Sequence, residues 1–408
     1  MNVSESIMPE DMKALRARLN QIDSALLEHL AQRRDVVNEI AQYKALNDRP
    51  VRDTGREREL LKRVAAKGGE HDLEPSFVVR IFQEIIDHSV RRQQHFMESS
   101  EDTSISNDQH PQKVVYLGAP GSYSHQAAQR HFSARMVNVE YEGRPDFESL
   151  VRAVESRAAG FAVLPIENTT AGSINEVYDL MVKHRVFILG EEVEKVDHCL
   201  VAAEELSLDE IRTIYSHPQA FAQCRNFLTS LGNAKLEAVG DTASAAALVK
   251  EKGSSSAGAV TSTAAAREHG LVVLRQGITN HAQNFTRFVV VGAEEASFSE
   301  KIPCKTSIVF EAKDETGSLL KVMNCLADSE LNLTKLESRP LPETPWSYRF
   351  FVDFEGNQQS LHVQHALQRI EEMVAGLVTL GTYPGRNIAE ALPVDIGHDD
   401  DTKKRHIS

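Results

Sequence analysis

One stretch of twenty residues, at positions 161–180, constrains the fold of this chain more than any other part of the sequence. It begins with a short apolar run, FAVLPI at residues 161–166, which is long enough for one buried strand. Four polar residues then end the strand, a turn with the sequence AGS follows, and an amphipathic helix begins near Ile174. Free backbone N–H groups and the helix dipole converge after such a turn, so the pattern is typical of an anion site in an α/β protein. An ordinary strand-to-helix connection, with Asn and Thr as caps, is the alternative interpretation.

The composition of the 408 residues is that of an ordinary globular protein with two or three domains. The formal net charge of −14 argues against a nucleic-acid partner, because such a surface would be basic. Four cysteines without C-x-x-C spacing predict reduced thiols. No apolar stretch approaches the roughly 20 residues that span a bilayer, and acidic residues precede the first apolar run, which argues against a signal peptide. We therefore expect a cytoplasmic protein without a membrane partner.

Residues 1–98 are predicted to form an all-α domain of three helices. The first and longest has apolar residues at a spacing of three and four, namely Leu15, Leu19, Ile22, Leu26, Leu30, Val37 and Ile40. Cationic side chains occupy further positions on this apolar face, although burial of an unpaired cation is energetically unfavourable. Pairing with neighbouring carboxylates, or a position at the edge of the stripe, would explain any single one of them. The whole set predicts a lining for a small dianion inside a helical bundle, namely Arg16, Arg33, Lys44, Arg56, Ser89 and Gln93.

Over residues 10–95 this region resembles the helical chorismate mutase domain of the bifunctional bacterial chorismate mutase/prephenate dehydratases, through LRARLNQIDSALLEHLAQRRDVVNEI, RPVRDTGRERELL and IIDHSVRRQQ. The resemblance implies rearrangement of chorismate to prephenate without a cofactor or a covalent intermediate. It also implies an intertwined helical homodimer. A pericyclic reaction needs a compact conformer and charge stabilisation rather than a nucleophile, which fits a lining of cations and amides.

The same resemblance implies a set of residues that bind the substrate, namely Arg16, Arg33, Lys44, Asp53, Arg56, Glu57, Ser89 and Gln93. The three arginines, one of them from the partner subunit, would hold the two carboxylates with help from Ser89. Lys44 and Gln93 would donate hydrogen bonds to the ether oxygen, which gains negative charge as its C–O bond breaks. Glu57 and the backbone of Asp53 would hold the hydroxyl group. Lys44, Glu57 and Gln93 are therefore the candidate catalytic residues of this domain.

A polar linker at residues 99–112 separates the helical domain from a second predicted domain at residues 113–293. There, short apolar runs alternate with helical patterns, which predicts a mostly parallel α/β sheet in two lobes with a cleft between them. Each polar motif follows a predicted strand, except the last motif, which begins a strand. Open α/β sheets bind ligands at the ends of their strands. The motif GAPGSYS lacks the spacing of a nucleotide-binding loop, so no nucleotide site is predicted. His217 could act as a general base, although a histidine before proline in a turn is more often structural.

Taken in order, the motifs GAPGSYS, PIENTTAGSI, YSHPQ and NFTRF resemble prephenate dehydratase, whose two α/β lobes are like those of periplasmic binding proteins. The resemblance implies that Thr286 is the catalytic residue and helps the ring hydroxyl leave as CO₂ departs. It implies a cleft lined by Ser122, Glu167, Asn168, Thr169, Gln219 and Arg287. A threonine hydroxyl is too weak an acid to transfer its proton unaided, so it would act by hydrogen bonding the departing oxygen. Without these motifs, Thr286 would be interpreted as a strand residue bonded to its neighbours.

After a shorter linker at residues 294–303, residues 304–385 are predicted to follow the order βαββαβ of an α+β ferredoxin-like module without a catalytic constellation. Through DETGSLLKVM and LNLTKLESRP the module resembles the ACT domain of dehydratases, although GSLLK replaces the GALVE of the best-known relatives. The resemblance implies that L-phenylalanine binds between two such modules, at Gly317, Ser318, Leu319, Glu337, Ser338 and Arg339. Residues 386–408 lack apolar periodicity and predict a disordered tail whose histidines and aspartates are solvated rather than metal-bound.

The sequence thus predicts a bifunctional, feedback-inhibited enzyme without cofactor or metal. Two alternatives stay open. The middle domain could prefer arogenate, the amino-acid counterpart of prephenate. The two-lobed domain with its ACT module could instead be an amino-acid sensor without catalysis, which would have no need for Thr286 and Arg287 together or for the cationic helical face.

Overall fold

The computed structural model of the chain describes residues 12–47, 49, 51, 53–100, 112–133, 138–232, 234–253, 256–281, 283–300, 302–341 and 347–386. Most of the predicted linker at 99–112 and of the predicted tail at 386–408 therefore lies outside the described residues, as does the acidic N-terminus.

Three helices form the helical region, residues 12–100, namely α1 Met12–Leu46, α2 Thr54–Gly69 and α3 Pro75–Ser100. Helix α2 begins after Asp53, because Oδ1 of Asp53 accepts a hydrogen bond from the backbone N–H of Arg56 at 3.0 Å. Helix α3 packs against both other helices. The three predicted helices are confirmed.

Helix α1 buries little of its predicted apolar face within one chain. Its 35 residues make it about 52 Å long. Val37 and Ala41 are its buried residues, and both lie near its C-terminal end. In the first half the apolar side chains are 41% to 59% exposed, namely Leu15, Leu19, Ile22, Leu26 and Leu30. An exposed apolar stripe of this length marks an interaction surface.

The α/β region, residues 112–293, forms two lobes with one sheet each. The strands of lobe 1 are β1 Gln112–Leu117, β2 Val139–Arg144, β3 Phe161–Asn168, β4 Gly172–Ser173, β5 Phe187–Lys195 and β11 Phe285–Gly292. Its helices are α4 Tyr123–Ser133, α5 Phe147–Glu155 and α6 Asn175–His184. The strands of lobe 2 are β6 His198–Ala202, β7 Thr213–Ser216, β8 Lys235–Ala238, β9 Ala257–Ser262 and β10 Val272–Arg275. Its helices are α7 Pro218–Gln223, α8 Arg225–Ser230, α9 Thr242–Lys252 and α10 Thr263–Glu268.

Both sheets are mixed, which corrects the expectation of mostly parallel strands. In lobe 1, with the order β2-β1-β3-β11-β5, strand β11 runs antiparallel to both of its neighbours. In lobe 2, with the order β10-β6-β9-β7-β8, strand β6 is antiparallel to β9 and β10. The reason is the path of the chain, which leaves lobe 1 after β5, builds lobe 2, and returns through β11 between β3 and β5. Strand β11 thus completes lobe 1 next to the crossing points between the lobes.

The C-terminal region, residues 302–386, has the predicted order of elements: β12 Cys304–Glu311, α11 Ser318–Asp328, β13 Leu333–Pro340, β14 Tyr348–Glu355, α12 Leu361–Met373 and β15 Gly376–Pro384. Its four strands form one antiparallel sheet in the order β13-β14-β12-β15. This order confirms the predicted βαββαβ topology.

Strand β15 packs closely against β5 of lobe 1. Gly381 in β15 has φ of +146°, and a Cβ atom at this position would lie 2.3 Å from the carbonyl oxygen of Ile188. A residue with a side chain could not occupy this position without separating the two strands. The rings of Tyr178 on α6 and Phe351 on β14 also meet, with centroids 4.7 Å apart. The C-terminal region is therefore packed directly on lobe 1.

Candidate active sites

The helical region holds two half-buried cations that contact neutral acceptors. A guanidinium nitrogen of Arg33 donates to the hydroxyl of Ser89, and Nζ of Lys44 donates to the carbonyl oxygen of Val51. Burial lowers the pKa of both cations; the carboxylates of Asp53 and Glu57 act in the opposite direction on Lys44. Among the described residues neither cation forms an ion pair with a carboxylate. The site therefore carries positive charge that an anionic ligand would neutralise.

The other residues predicted for this site lie at different distances from these cations. Asp53, Arg56 and Glu57 begin α2 and are close enough to Lys44 to influence its pKa. Gln93 on α3 is buried, and its Oε1 has no hydrogen-bond partner among the described residues. Arg16 lies seventeen residues before Arg33 on the same straight helix, which places their Cα atoms about 25 Å apart. Within one chain the structure thus brings Arg33 to Ser89, and brings Lys44 close to Asp53, Arg56 and Glu57.

In the α/β region, Asn168 and Thr286 form the centre of a polar cluster where β3 and β11 meet. The two residues are directly opposite each other in the antiparallel pair, so their side chains lie on the same face. Nδ2 of Asn168 donates to Oγ1 of Thr286 at 2.9 Å. The hydroxyl of Thr286 accepts this hydrogen bond and donates to no acceptor among the described residues, so its proton is available for a ligand.

The amide of Asn168 is held in one orientation. Its Oδ1 accepts hydrogen bonds from the backbone N–H groups of Thr170 at 3.0 Å and Ala171 at 2.9 Å. Its Nδ2 also contacts Oδ1 of Asn284 at 2.9 Å and the carbonyl oxygen of Phe285 at 3.1 Å. The donor side of the amide consequently faces Thr286.

Two further predicted residues of the cleft have roles in the local fold, and a third is exposed. Thr169 ties the turn to β11, because its Oγ1 accepts from the backbone N–H of Phe285 at 2.9 Å. The hydroxyl of Ser122 donates to the carbonyl oxygen of Leu117 at 3.0 Å and accepts from the backbone N–H of His125 at 3.2 Å, so it caps α4. Gln219 is exposed at the start of α7. The structure does not bring the side chains of Ser122 and Gln219 into contact with Thr286.

Glu167 and Arg287 lie on the opposite face of the same strand pair, which corrects the expectation that they line the cleft with Thr286. Consecutive strand residues point to opposite faces, and Arg287 faces Glu191 and Asp353, at 2.7 Å and 2.6 Å. Glu167 faces Lys335 of β13 at 3.1 Å. The nearby carboxylates outweigh the effect of burial and raise the pKa of Arg287 above its usual value. These two residues join lobe 1 to the C-terminal region.

Sequence reasoning missed four residues that contact this cluster or extend it. Asn284 and Thr170 lie within quoted motifs but received no role, and both contact Asn168. Gln223 donates from Nε2 to Oγ1 of Thr170 at 3.1 Å, and its Oε1 lies 3.0 Å from Nε2 of His198. Gln223 follows Gln219 by four residues, which is one helical turn, and this spacing is the only sequence signal for it.

His217 caps α7, because its Nδ1 accepts from the backbone N–H of Gln219 at 3.2 Å. This is the structural role considered for it. Within the described parts of the chain, no group of three His, Cys, Asp or Glu side chains could hold a metal ion, and no helix there is long and apolar enough to cross a membrane. All four cysteines are buried and free of disulfide bonds.

The residues predicted to bind a regulatory ligand fall into two separate places in one chain. Gly317, Ser318 and Leu319 line a groove of about 290 Å³ at the start of α11, together with Tyr348 and Phe350. The side chains of β13 alternate between inward and exposed positions.

Glu337 and Arg339 on β13 point inward. Glu337 accepts from the hydroxyl of Ser173 at 2.6 Å, and Arg339 donates to Asp179 at 2.7 Å. Ser338 between them is exposed. The side chains of Glu337 and Arg339 therefore serve the contact with lobe 1, and the structure does not bring them to the groove at Gly317.

Known proteins similar to this chain cover both catalytic regions. A family model for prephenate dehydratase matches residues 114–296, and one for chorismate mutase type II matches residues 15–94. The chain is 36% identical over 380 residues to the bifunctional chorismate mutase/prephenate dehydratase of Enterobacter agglomerans, a match that covers 93% of this chain and 97% of that protein.

Two solved structures are each similar to about two thirds of this chain. The prephenate dehydratase of Arthrobacter aurescens in complex with L-Phe has a TM-score of 0.62 and 26% identity, covering 69% of this chain and 92% of that one. GqqA, described as a novel type of quorum quenching acylase, has a TM-score of 0.62 and 30% identity, covering 68% of this chain and 100% of that one. Both family models and the nearly full-length match agree with the two sites described above. The chain therefore belongs to the family of bifunctional chorismate mutase/prephenate dehydratases.

Proposed function

We propose that the chain converts chorismate to prephenate in the helical region and prephenate to phenylpyruvate in the α/β region, and that L-phenylalanine inhibits it. The observation that carries the proposal is the presence of two independent sites on one chain, each suited to one reaction. Within the part of the chain that the structure describes, one site has two cations that form no ion pair with a carboxylate, Arg33 and Lys44, and the other has a threonine hydroxyl that donates to no protein acceptor. Neither set of residues requires a cofactor.

In the mutase reaction a C–O bond breaks and a C–C bond forms within one molecule. Arg33, Arg56 and Arg16 of the partner subunit would hold the two carboxylates in the compact conformer. Lys44 and Gln93 would stabilise the negative charge that develops on the ether oxygen, while Glu57 binds the hydroxyl group. Each donor of this kind typically contributes about 10²- to 10³-fold in rate. No group has to be transferred to the protein.

In the dehydratase reaction the bond between the ring and its carboxylate breaks, and the electron pair forms the aromatic ring. The ring hydroxyl departs with one proton as water, so that prephenate and H⁺ give phenylpyruvate, CO₂ and H₂O. Thr286 would donate a hydrogen bond to the departing oxygen, and the hydrogen bond that its hydroxyl accepts from Asn168 at 2.9 Å would orient it. Formation of an aromatic ring supplies the driving force, so a weak acid suffices.

We also propose that the active assembly is a homodimer in which α1 of one chain lies along the helical region of the other. Two observations support this assembly. The apolar face of α1 is exposed over its first half, and Arg16 is about 25 Å from Arg33 on the same helix. A second copy would cover the apolar face and bring its Arg16 to the site. The expected cytoplasmic location stays a prediction.

For regulation, we propose that the C-terminal region is an ACT module that binds L-phenylalanine at the groove beside Gly317. The positive φ of Gly317, +76°, lets the chain turn into α11, and the N–H groups at the start of that helix could receive the carboxylate of the amino acid. A neighbouring module could supply exposed Ser338 and the backbone of β13. The similar prephenate dehydratase of Arthrobacter aurescens is in complex with L-Phe, which supports binding of L-phenylalanine by this chain.

One assay tests the proposal. Purified protein is supplied with chorismate, prephenate or arogenate, and the product is followed with and without L-phenylalanine. Formation of phenylpyruvate from chorismate and from prephenate, suppressed by L-phenylalanine, is the expected result. Accumulation of prephenate from chorismate, with turnover of arogenate, would instead identify an arogenate-preferring enzyme. Consumption of none of the three would favour the amino-acid sensor.

A further inference from the structure

We propose that His198 is a positioning residue for Thr286, acting through a one-way chain of hydrogen bonds that crosses from one lobe to the other and back. This inference rests on the proposed dehydratase function. The series of hydrogen bonds runs, from donor to acceptor, through Tyr123, His198, Gln223, Thr170, Asn168 and Thr286. Tyr123, Thr170, Asn168 and Thr286 belong to lobe 1, whereas His198 and Gln223 belong to lobe 2.

The direction of donation in this series of hydrogen bonds is fixed at the end nearest Thr286. Oδ1 of Asn168 accepts from two backbone N–H groups, so it cannot face Thr286 as an acceptor. The hydroxyl of Thr170 also donates to this oxygen, at 2.7 Å. Since a hydroxyl has one proton, the contact between Thr170 and Gln223 at 3.1 Å must be donated by the amide nitrogen of Gln223.

The orientation of Gln223 in turn fixes the tautomer of His198. With its Nε2 toward Thr170, Gln223 presents Oε1 to Nε2 of His198 at 3.0 Å. An amide oxygen only accepts, so Nε2 of His198 must carry a proton. Nδ1 of the neutral ring then accepts from the hydroxyl of Tyr123 at 3.1 Å.

The surroundings of His198 agree with a neutral ring. Its side chain is buried, and burial lowers its pKa, against the opposing effects of Gln223 and Asp197. Burial also raises the pKa of Tyr123, so this phenol keeps its proton. The hydroxyl of Tyr123 also donates to the carbonyl oxygen of Asp197 at 3.0 Å, so its single proton is shared between that oxygen and Nδ1 of His198, and the ring of Tyr123 is held beside the histidine.

The series of hydrogen bonds has two consequences for Thr286. Hydrogen bonds in a row polarise one another, so each donor strengthens the next. Thr286, as the last acceptor, is left with its proton directed away from Asn168 and is a better donor than an isolated threonine. Because two members sit on lobe 2, the polarised arrangement exists only when the two lobes are at their present separation.

A matched pair of substitutions tests the role of His198. His198→Gln places an amide nitrogen near the position of Nε2 and can still donate to Gln223. His198→Asn is shorter, reaches only the position of Nδ1, and leaves Gln223 without its donor. We expect His198→Asn to lower kcat for prephenate by about tenfold with KM within about twofold. His198→Gln should stay within about threefold of the wild type. Tyr123→Phe, which removes only the first donor, should lose about two- to fivefold in kcat.

A double-substitution cycle separates positioning from general support of the fold. In a Thr286→Ala background, His198→Asn should have less than about a twofold further effect, because the group it acts through is gone. Chorismate mutase activity of the same preparations shows that each variant is folded. Equal losses for the Asn and Gln variants, or an undiminished loss in the Thr286→Ala background, would overturn the role of His198. Absence of prephenate turnover by the wild type would reject the proposed function itself, and with it this role.

Discussion

Thr286 and Arg287 are consecutive in β11, yet their side chains lie on opposite faces of the sheet and in different environments. Oγ1 of Thr286 accepts a hydrogen bond from Asn168 at 2.9 Å on the side of the cleft. The guanidinium of Arg287 donates to Asp353 at 2.6 Å and to the hydroxyl of Tyr383 at 2.9 Å, both in the C-terminal region. The strand that presents the proposed catalytic hydroxyl is therefore held from behind by the proposed regulatory module.

Substitution of Thr286 should affect only one of the two activities. Thr286→Ala removes the hydrogen bond to the departing oxygen and should lower kcat for prephenate by about 10²- to 10³-fold. Thr286→Ser keeps the hydroxyl and should retain most of the activity. Turnover of chorismate, measured on the same samples, should not change. Dehydratase turnover by the alanine variant at the wild-type rate would exclude Thr286 as the catalytic residue.

Removal of Arg287 should destabilise the protein and disturb regulation. Arg287→Ala leaves the buried carboxylates of Glu191 and Asp353 without their shared cation, which should cost about 3–5 kcal/mol in the free energy of unfolding. Arg152 forms an exposed ion pair with Glu148, so Arg152→Ala is a control with an expected cost below about 1 kcal/mol. Urea unfolding measures both.

The same Arg287 variant should also respond less to L-phenylalanine, since the contact between β11 and Asp353 is lost. Inhibition curves with prephenate as substrate measure this response. Inhibition identical to that of the wild type would show that the signal does not pass through Arg287 and Asp353.

Mixing two inactive variants tests the shared mutase site. Arg16→Ala and Lys44→Ala should each abolish mutase activity while sparing the dehydration of supplied prephenate. If each site takes Arg16 from one subunit and Lys44 from the other, subunit exchange creates one intact site in every mixed dimer. An equal mixture should then recover about a quarter of the wild-type mutase activity. Recovery of none after verified exchange would place both residues in the same subunit's site.

Stability should depend on pH through Glu194 in β5. Burial raises the pKa of this carboxyl to about 7 from an ordinary value of 4.5, and Glu192 and Glu84 act with burial, against Arg130. The folded state therefore binds the proton more tightly than the unfolded state. This contribution to stability is complete below pH 4.5 and is lost as the pH rises through about 7.

Glu194→Gln removes this titration without changing the shape of the side chain. Between pH 5 and pH 8 the wild type should lose on the order of 1–3 kcal/mol more of its free energy of unfolding than the variant does. Glu192, whose pKa is held at about 2, stays ionised throughout this range and does not contribute to the difference. Parallel pH profiles for the two proteins would contradict the assignment.

Much of the fold could be predicted from the sequence, because apolar periodicity is strong in the helices and buried strands. The edge strand β2, with the sequence VEYEGR, was missed because it is largely polar. The helix α10, TAAARE, was missed because it is short and rich in alanine. The antiparallel return of β11 is a property of the chain path between the lobes, which no local pattern records.

The sites were predicted less completely. The motifs assign Asn168 and Thr286 to one cleft, and the pairing of the two residues in the sheet puts their side chains on the same face. They also placed Arg287 beside Thr286, although the two-residue period of a strand alone argues against both side chains facing the cleft. Gln223 and His198 reach the cluster only because lobe 2 folds against lobe 1, and contacts between distant segments leave little trace in a single sequence.

The burial of Arg287 between Glu191, Asp353 and Tyr383 also decides where this polypeptide can be divided. A fragment that ends before Cys304 would expose a buried face to water. Arg287 would lose Asp353 and Tyr383, Glu191 would lose Lys305, and the surface around Ile188 would be uncovered. Such a truncated protein should aggregate rather than behave as an uninhibited enzyme. Loss of feedback inhibition is therefore better sought by point substitution than by deletion, because the proposed regulatory region also stabilises lobe 1.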